Sequence, residues 1–221
     1  MISNFSQSEE NYIKAIYHLQ QADGSVTTNE LAGMLHTKPA SVTDMLKKLK
    51  AKKLLHYERY KGFHLSIEGK KVALSIIRRH RLWEYFLVSK LQFGWDEVHE
   101  VAEELEHVRS HKLIDKLDFF LNHPKFDPHG DPIPDNNGKM SMQHHIQLIE
   151  LPLNTQAEVT AVNSQSSELL ELLQHKNIHI GTKLEVKRKF GFDNSFELKI
   201  RNKPAVNISK QLAQALNVKP L

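Results

Sequence analysis

The stretch Asn122-His-Pro-Lys-Phe-Asp-Pro-His-Gly-Asp-Pro-Ile-Pro-Asp-Asn-Asn-Gly138 admits neither a helix nor a strand. Proline lacks the amide proton that both elements use, and glycine, asparagine and aspartate favour turns. The segment is a linker or an ordered loop, and it divides the chain. Before it, apolar residues keep a helical spacing; after Met140 they fall into short alternating runs. That arrangement predicts a mainly α protein with a small β domain. His123, His129 and Asp131 have ligating side chains, but turn chemistry accounts for this composition more simply, and no site is placed on them.

The N-terminal part reads as three helices and a hairpin. Tyr12, Ile13, Ile16, Tyr17 and Leu19 mark a helix from Glu9 to about Gln21, which Asp23-Gly24 ends. A short second helix follows within Val26–Leu35, capped by Thr28 or Thr27, with Leu31, Met34 and Leu35 as its buried side. After the turn at His36-Thr-Lys38, Pro39 suits the first position of a third helix running to Ala51. There Val42, Met45, Leu46 and Leu49 face inward, leaving Ala40, Ser41, Thr43, Asp44, Lys47, Lys48 and Lys50 outside. Any small three-helix bundle reads this way. A helix-turn-helix reads so too, with small polar residues near base edges and lysines near phosphates. The following Leu54–Ile67 forms two predicted strands around Tyr60-Lys61-Gly62, a tip bearing Arg59 and Lys61, and the whole order matches a winged helix. Lys38, Pro39, Ala40, Ser41, Thr43, Asp44, Lys47, Lys48, Arg59 and Lys61 are the candidate DNA-binding residues.

Charge agrees with that reading. The formal net charge is +4, yet Lys38 to Lys71 alone holds 10 Lys or Arg against 3 Asp or Glu, so the remainder is net acidic. The basic segment suits phosphates. The acidic excess gathers between Asp96 and Glu106. In Trp95–Arg109, read as one helix, His99, Glu103, Glu106 and His107 fall on one arc and Val98, Val101, Ala102, Leu105 and Val108 on the other. Such a polar face is ordinarily solvated; it also offers the oxygen and nitrogen donors of a divalent ion. His80 and Glu84 repeat the i, i+4 spacing on the preceding helix. With no cysteine in the chain, thiolate sites, disulfides and cysteine nucleophiles are excluded.

The long helical stretch Glu68–Val88 carries Trp83, Phe86 and Leu87 beyond what a winged helix buries. With Leu113, Ile114, Leu117, Phe119, Phe120 and Leu121 they predict either a dimerisation unit or a satellite core. Leu148–Leu151, Ala157–Val162, Lys183–Arg188, Ser195–Ile200 and Ala205–Ser209 are expected strands, with a helix over Ser167–His175 and a last helical turn within Ile208–Leu216. Five strands and one helix fit a small, partly open barrel. The chain is therefore expected to divide as 1–72, 73–139 and 140–221. No apolar run is long enough to cross a bilayer, and Met1–Glu10 lacks a secretory signal pattern, so a cytoplasmic location is expected.

Four motifs carry a resemblance: Pro39-Ala-Ser-Val-Thr-Asp-Met-Leu46, Arg79-His-Arg-Leu-Trp-Glu84, Val98-His-Glu-Val-Ala-Glu-Glu-Leu-Glu-His107 and Phe126-Asp-Pro-His-Gly-Asp-Pro-Ile-Pro134. Nearly end to end, the chain resembles the diphtheria-toxin-repressor and manganese-transport-regulator family of metal-activated transcriptional repressors. The resemblance implies a winged helix-turn-helix, a helical dimerisation domain and a C-terminal FeoA-like small β-barrel. It implies one metal site at His80, Glu84 and His99, completed by Gln165 and Glu168 of the barrel. It implies an adjoining site at Glu103, Glu106 and His107, with Asn11 at the position of the remaining ligand. Glu103 stands where the iron branch has cysteine, which resembles the manganese branch. Lys14 stands where that branch has a second carboxylate, and an ammonium cannot ligate, so Glu10 is the available substitute.

The implied cofactor is Mn²⁺ (or Fe²⁺), two ions per subunit, and the implied partners are double-stranded operator DNA and a second copy of the chain. No membrane and no small organic substrate are expected. Two rival readings are a metal-dependent hydrolase and a metal carrier without DNA binding. His80-Arg-Leu-Trp-Glu84 is not the zinc-protease order, and neither a glycine-rich phosphate loop nor a nucleophile elbow accompanies it, so no catalytic residue is assigned.

Overall fold

The computed structural model describes residues 5–58, 62–201 and 203–221, which form two compact units. The first comprises residues up to 80 together with 104–114 and 134–140; the second comprises 81–103, 115–133 and 141–221. Among the described residues no helix is long and apolar enough to cross a membrane.

The first unit opens with α1 (Gln7–Asp23), α2 (Thr28–Met34) and α3 (Pro39–Ala51). Reciprocal capping boxes start the first two: Ser6 with Glu9, and Thr27 with Glu30. Pro39 begins α3, where its missing amide proton costs nothing. β1 (Leu55–Glu58) and β2 (Gly62–Leu65) follow as an antiparallel hairpin, and Val26 pairs with Phe63 as a third short rung. Ile13, Ile16, Leu31, Val42, Leu49, Phe63, Leu65 and Ile76 fill the core. Met34 departs from expectation: it is 45% exposed, because the seven-residue α2 ends there and turns only Leu31 and Ala32 into the core. The hairpin tip with Arg59 and Lys61 lies outside the described residues.

α4 (Ile67–Leu91) starts in the first unit and continues into the second, α5 (Val98–Leu105) starts in the second and ends in the first, and α6 (His111–Phe120) starts in the first and continues into the second. The expected helix Trp95–Arg109 is shorter at both ends. At its start Trp95 leaves helical geometry and is buried among the β domain's apolar residues. At its end Arg79 Nε donates to the Glu106 carbonyl at 2.5 Å, satisfying a backbone oxygen beyond the last turn. Glu106 and His107 thus sit on a turn, not on the helical arc.

In the second unit six antiparallel strands run in the order β3-β8-β4-β5-β6-β7: β3 (Ile146–Gln147), β4 (Gln156–Val162), β5 (Lys183–Lys189), β6 (Phe196–Ile200), β7 (Val206–Ile208) and β8 (Leu216–Pro220). Bulges between Val159 and Ala161 and between Val186 and Arg188 curve the sheet around Leu148, Leu170, Leu173, Leu198 and Leu216. α7 (Ser167–His175), capped by Ser166, has the expected bounds, and α8 (Lys210–Ala215) leads directly into β8. Two expectations are corrected. Leu148–Glu150 is a 3-10 turn and not a strand, and β8 is a sixth strand, lying between β3 and β4.

The proline-rich loop is ordered without being regular. Within the second unit His129 O accepts from Val162 N at 3.1 Å, and Gly130 holds φ +90° against β4. A Cβ there would lie 2.0 Å from Thr160 O and 2.6 Å from Ala161 Cα. Gly130→Ala is expected to destabilise the second unit by about 1–3 kcal/mol, from positive-φ strain and backbone overlap. Thermal unfolding followed at the β domain measures it.

Candidate metal centres and nucleic-acid interface

Among the described residues, each unit holds a cluster of ionisable side chains of its own. In the first, α1 supplies Glu10 and Lys14, α4 supplies Arg79 and His80, and the turn after α5 supplies Glu106 and His107. Glu10 accepts from His107 Nδ1 at 2.6 Å and from Arg79 Nη2 at 3.0 Å. Glu106 Oε2 lies 2.7 Å from both Lys14 Nζ and His80 Nδ1. Glu106 is 1% exposed, and burial alone would push its carboxyl up. Hydrogen bonding to His80 and the charge of Lys14 outweigh that and hold it below the usual glutamate range. The cluster is largely neutralised by its own cations. An entering ion would have to displace the ammonium of Lys14. Asn11, expected to ligate, is exposed on α1, and the buried neighbour Glu10 takes the inward position instead.

The second unit holds a different balance. Ligand atoms of Glu84, Asp127 and His129, all buried, lie within 4.8 Å of one another. His129 Nδ1 is 3.9 Å from Glu84 Oε1, and His99 Nδ1 is 3.2 Å from the same oxygen. Glu103 reaches His99 Nε2 at 3.6 Å. Asp127 Oδ1 accepts the backbone N–H groups of His129 and Asp131, while Asp127 Oδ2 and His129 Nδ1 are buried without a hydrogen bond. His129 Nε2 donates to the Trp95 carbonyl at 3.1 Å, and its ring stacks on the Trp95 indole, 5.7 Å apart at 11°. That bond places the proton on Nε2 and leaves the Nδ1 lone pair facing the carboxylates, the arrangement a metal ligand requires.

The ionisation states fit a cation as well. Burial, with Glu84 and Asp131 close by, raises the Asp127 carboxyl well above its ordinary range despite Arg81, whose Nε is 3.5 Å away. Burial also lowers the His129 imidazole and keeps it neutral. Two buried carboxyls, a neutral imidazole and unbonded donor atoms form an oxygen and nitrogen set that a divalent ion completes. Arg81 holds the loop by donating to Pro132 O at 2.6 Å and Asp131 Oδ2 at 3.1 Å. Gln165 donates to Asp131 Oδ2 at 3.2 Å, and Glu168 is exposed in the first turn of α7.

Lys38, which precedes α3, and Pro39, Ala40, Ser41, Thr43, Asp44, Lys47 and Lys48 on it are all exposed. Lys47 pairs with Asp44 at 3.0 Å, with both side chains more than 70% exposed. Within the helix Ala40, Ser41 and Thr43 precede Lys47 and Lys48, as base approach followed by phosphate contact requires.

Three family models cover the chain: the N-terminal DNA-binding domain of iron-dependent repressors matches residues 4–63, their metal-binding and dimerisation domain matches 66–135, and the FeoA domain matches 146–220. The HTH-type transcriptional regulator MntR of Oceanobacillus iheyensis is 35% identical over 120 residues, 54% of this chain and 81% of that protein. The chain belongs to the diphtheria-toxin-repressor and manganese-transport-regulator family. Its members are metal-dependent transcriptional repressors and not enzymes, which removes the hydrolase reading. A solved manganese-dependent transcriptional repressor in complex with manganese superposes with a TM-score of 0.83 at 30% identity, covering 96% of this chain and 100% of that one. ScaR with bound Cd²⁺ gives 0.78 at 30% identity, covering 96% and 99%.

Within this family member, Asp127 and His129 are the donors that sequence reasoning passed over. Both stand in Phe126–Pro134, quoted above for its resemblance yet read only as a turn. The available signal was a histidine held between Pro128 and Gly130, at a place where the chain has no freedom to turn it away.

Proposed function

We propose that the protein is a manganese-activated homodimeric repressor, with Fe²⁺ as the alternative ion, that binds palindromic operator DNA in the cytoplasm and controls metal-uptake genes. One observation carries the reading: a fully buried Glu84, Asp127 and His129 group with unbonded donors stands in the same chain as a winged helix with an exposed basic helix. Imidazole and carboxylate suit Mn²⁺ and Fe²⁺, and the later ions, which bind such donors more tightly, are set aside by availability in the cell. The exposed Phe119, Phe120 and Leu91 of the second unit supply apolar area for a second copy.

Two ions per subunit are proposed. The stronger site uses Glu84, His99, Asp127 and His129. The weaker one uses Glu10, His80, Glu106 and His107 of the first unit and fills only as Lys14 is displaced; Glu103 stays with His99 in the second unit. A bound divalent ion supplies positive charge to buried carboxylates. In the first unit Glu10 and His107 then fix α1, on which the placement of α2 and α3 depends. To move the DNA-competent population from about 1% to 99%, ion binding must favour it by roughly 5.5 kcal/mol.

The test is anisotropy with palindromic DNA selected by the protein from a random library in Mn²⁺. Affinity is expected to fall by two or more orders of magnitude on chelation, within the about 10⁴-fold ceiling of that switch. Equal affinity after exhaustive chelation would refute the reading. Tight Mn²⁺ binding with no DNA selected would make the protein a metal carrier.

A further inference from the structure

The hairpin of the first unit carries donors that neither metal centre uses. His56 on β1 lies directly opposite His64 on β2 in the antiparallel register, and their rings are 5.4 Å apart between centres. Strand alternation buries the opposed pair Leu55 and Leu65 and sends His56, Glu58 and His64 to the outer face. Glu58 Oε1 is 3.7 Å from His64 Nδ1, with these side chains 47% and 30% exposed. Opposite Glu58 stands Gly62, where a Cβ would meet the Val26 carbonyl oxygen at 2.3 Å, so Glu58 has no side chain directly across from it.

Directly opposed strand residues have Cβ atoms about 4.5–5.5 Å apart. From that separation two imidazoles can each bring a nitrogen to the roughly 2.0–2.1 Å that a zinc–histidine bond needs. A carboxylate already beside one imidazole gives a third ligand, and open solvent gives a fourth as water.

We propose that His56, His64 and Glu58 form a surface clamp for Zn²⁺ that braces the two strands of the wing. Imidazole-rich sites hold zinc well above manganese in the affinity order of divalent ions, so the clamp responds to zinc at concentrations where it ignores manganese. Its consequence for DNA rests on the repressor reading above: a braced wing gives the regulator a second, zinc-specific input. The binding itself does not rest on that reading.

The experiment uses the full chain and Zn²⁺ itself, with Mn²⁺ as the comparison. Native mass spectrometry is expected to count one more Zn²⁺ per subunit in the wild type than in His56→Ala/His64→Ala, with the same Mn²⁺ count in both. Hydrogen exchange is expected to show Zn²⁺ slowing the Leu55–Glu58 and Gly62–Leu65 amides in the wild type only. The milder His64→Gln variant keeps a polar side chain at that position and should lose the same ion. Equal zinc counts, or hairpin exchange indifferent to zinc, would overturn the clamp. Neither readout involves DNA, so such a failure leaves the repressor reading standing, and loss of metal-dependent DNA binding leaves the clamp standing.

Discussion

Glu106→Ala is expected to cost the metal-free protein about 3–5 kcal/mol in the first unit, the usual penalty for removing one member of a buried ion pair. Glu106 is 1% exposed, and its Oε2 serves Lys14, 14% exposed, and His80, 9% exposed, at 2.7 Å each. Alanine leaves that ammonium and imidazole buried beside each other with nothing between them. Glu106→Gln retains an acceptor and the volume, and is expected to cost less. Lys14→Met in the alanine background should recover part of the loss, since it removes the stranded charge; the double-mutant cycle measures the pair directly. The Glu106 carboxyl is depressed in the folded state, so its stabilisation is full above the unfolded glutamate value and is lost as pH falls through the folded one. Urea unfolding of wild type and variant should therefore converge at acid pH. A loss below about 1 kcal/mol at neutral pH, the range of an exposed pair, would contradict the buried-pair account.

The absence of a regular element from Asn122 to Gly138 was readable because the residues there forbid it in any context, whereas the two compact units interleave along the chain and part within that loop. α3 and α7 were readable for a similar reason: Pro39 and Ser166 start them, and their apolar spacing ends where the helices end. What escaped the sequence depended on tertiary partners. Periodicity carried the helix at Val98 on through His107, but Arg79 takes the Glu106 carbonyl and the chain turns. β8 follows α8 with no turn residue between them, so Leu216–Pro220 gave no separate signal until β3 and β4 flanked it. Asn11 and Glu10 are adjacent, and only burial decides which reaches His107. Gln165 is drawn to Asp131, a residue of the loop that the sequence reading set aside. Asp127 and His129 escaped because turn formers and metal ligands are the same residue types; Asp127 here turns the backbone with one oxygen and keeps the other unbonded.

On the proposed function, that division of the two Asp127 oxygens makes manganese binding pH-dependent. Affinity for Mn²⁺ is expected to rise about tenfold per pH unit while Asp127 remains protonated, and to level off above its folded value. Burial is the main cause of the raised carboxyl, followed by the charges of Glu84 and Asp131; Arg81 and the Asp131 N–H offset them only in part. His129, lowered by burial, brings no proton to lose, so one proton per ion leaves from Asp127. Calorimetry in buffers of different ionisation enthalpy should count close to one proton released per ion below that value. In Asp127→Asn the count should fall towards zero, and affinity should drop because the amide offers a neutral oxygen. The same residue sets an opposite slope in the metal-free protein. A folded carboxyl that keeps its proton longer than the unfolded chain's makes stability decline as pH rises between the two values, and Asp127→Asn should flatten that decline. Proton release unchanged by Asp127→Asn would place the titrating group elsewhere and remove Asp127 from the metal centre.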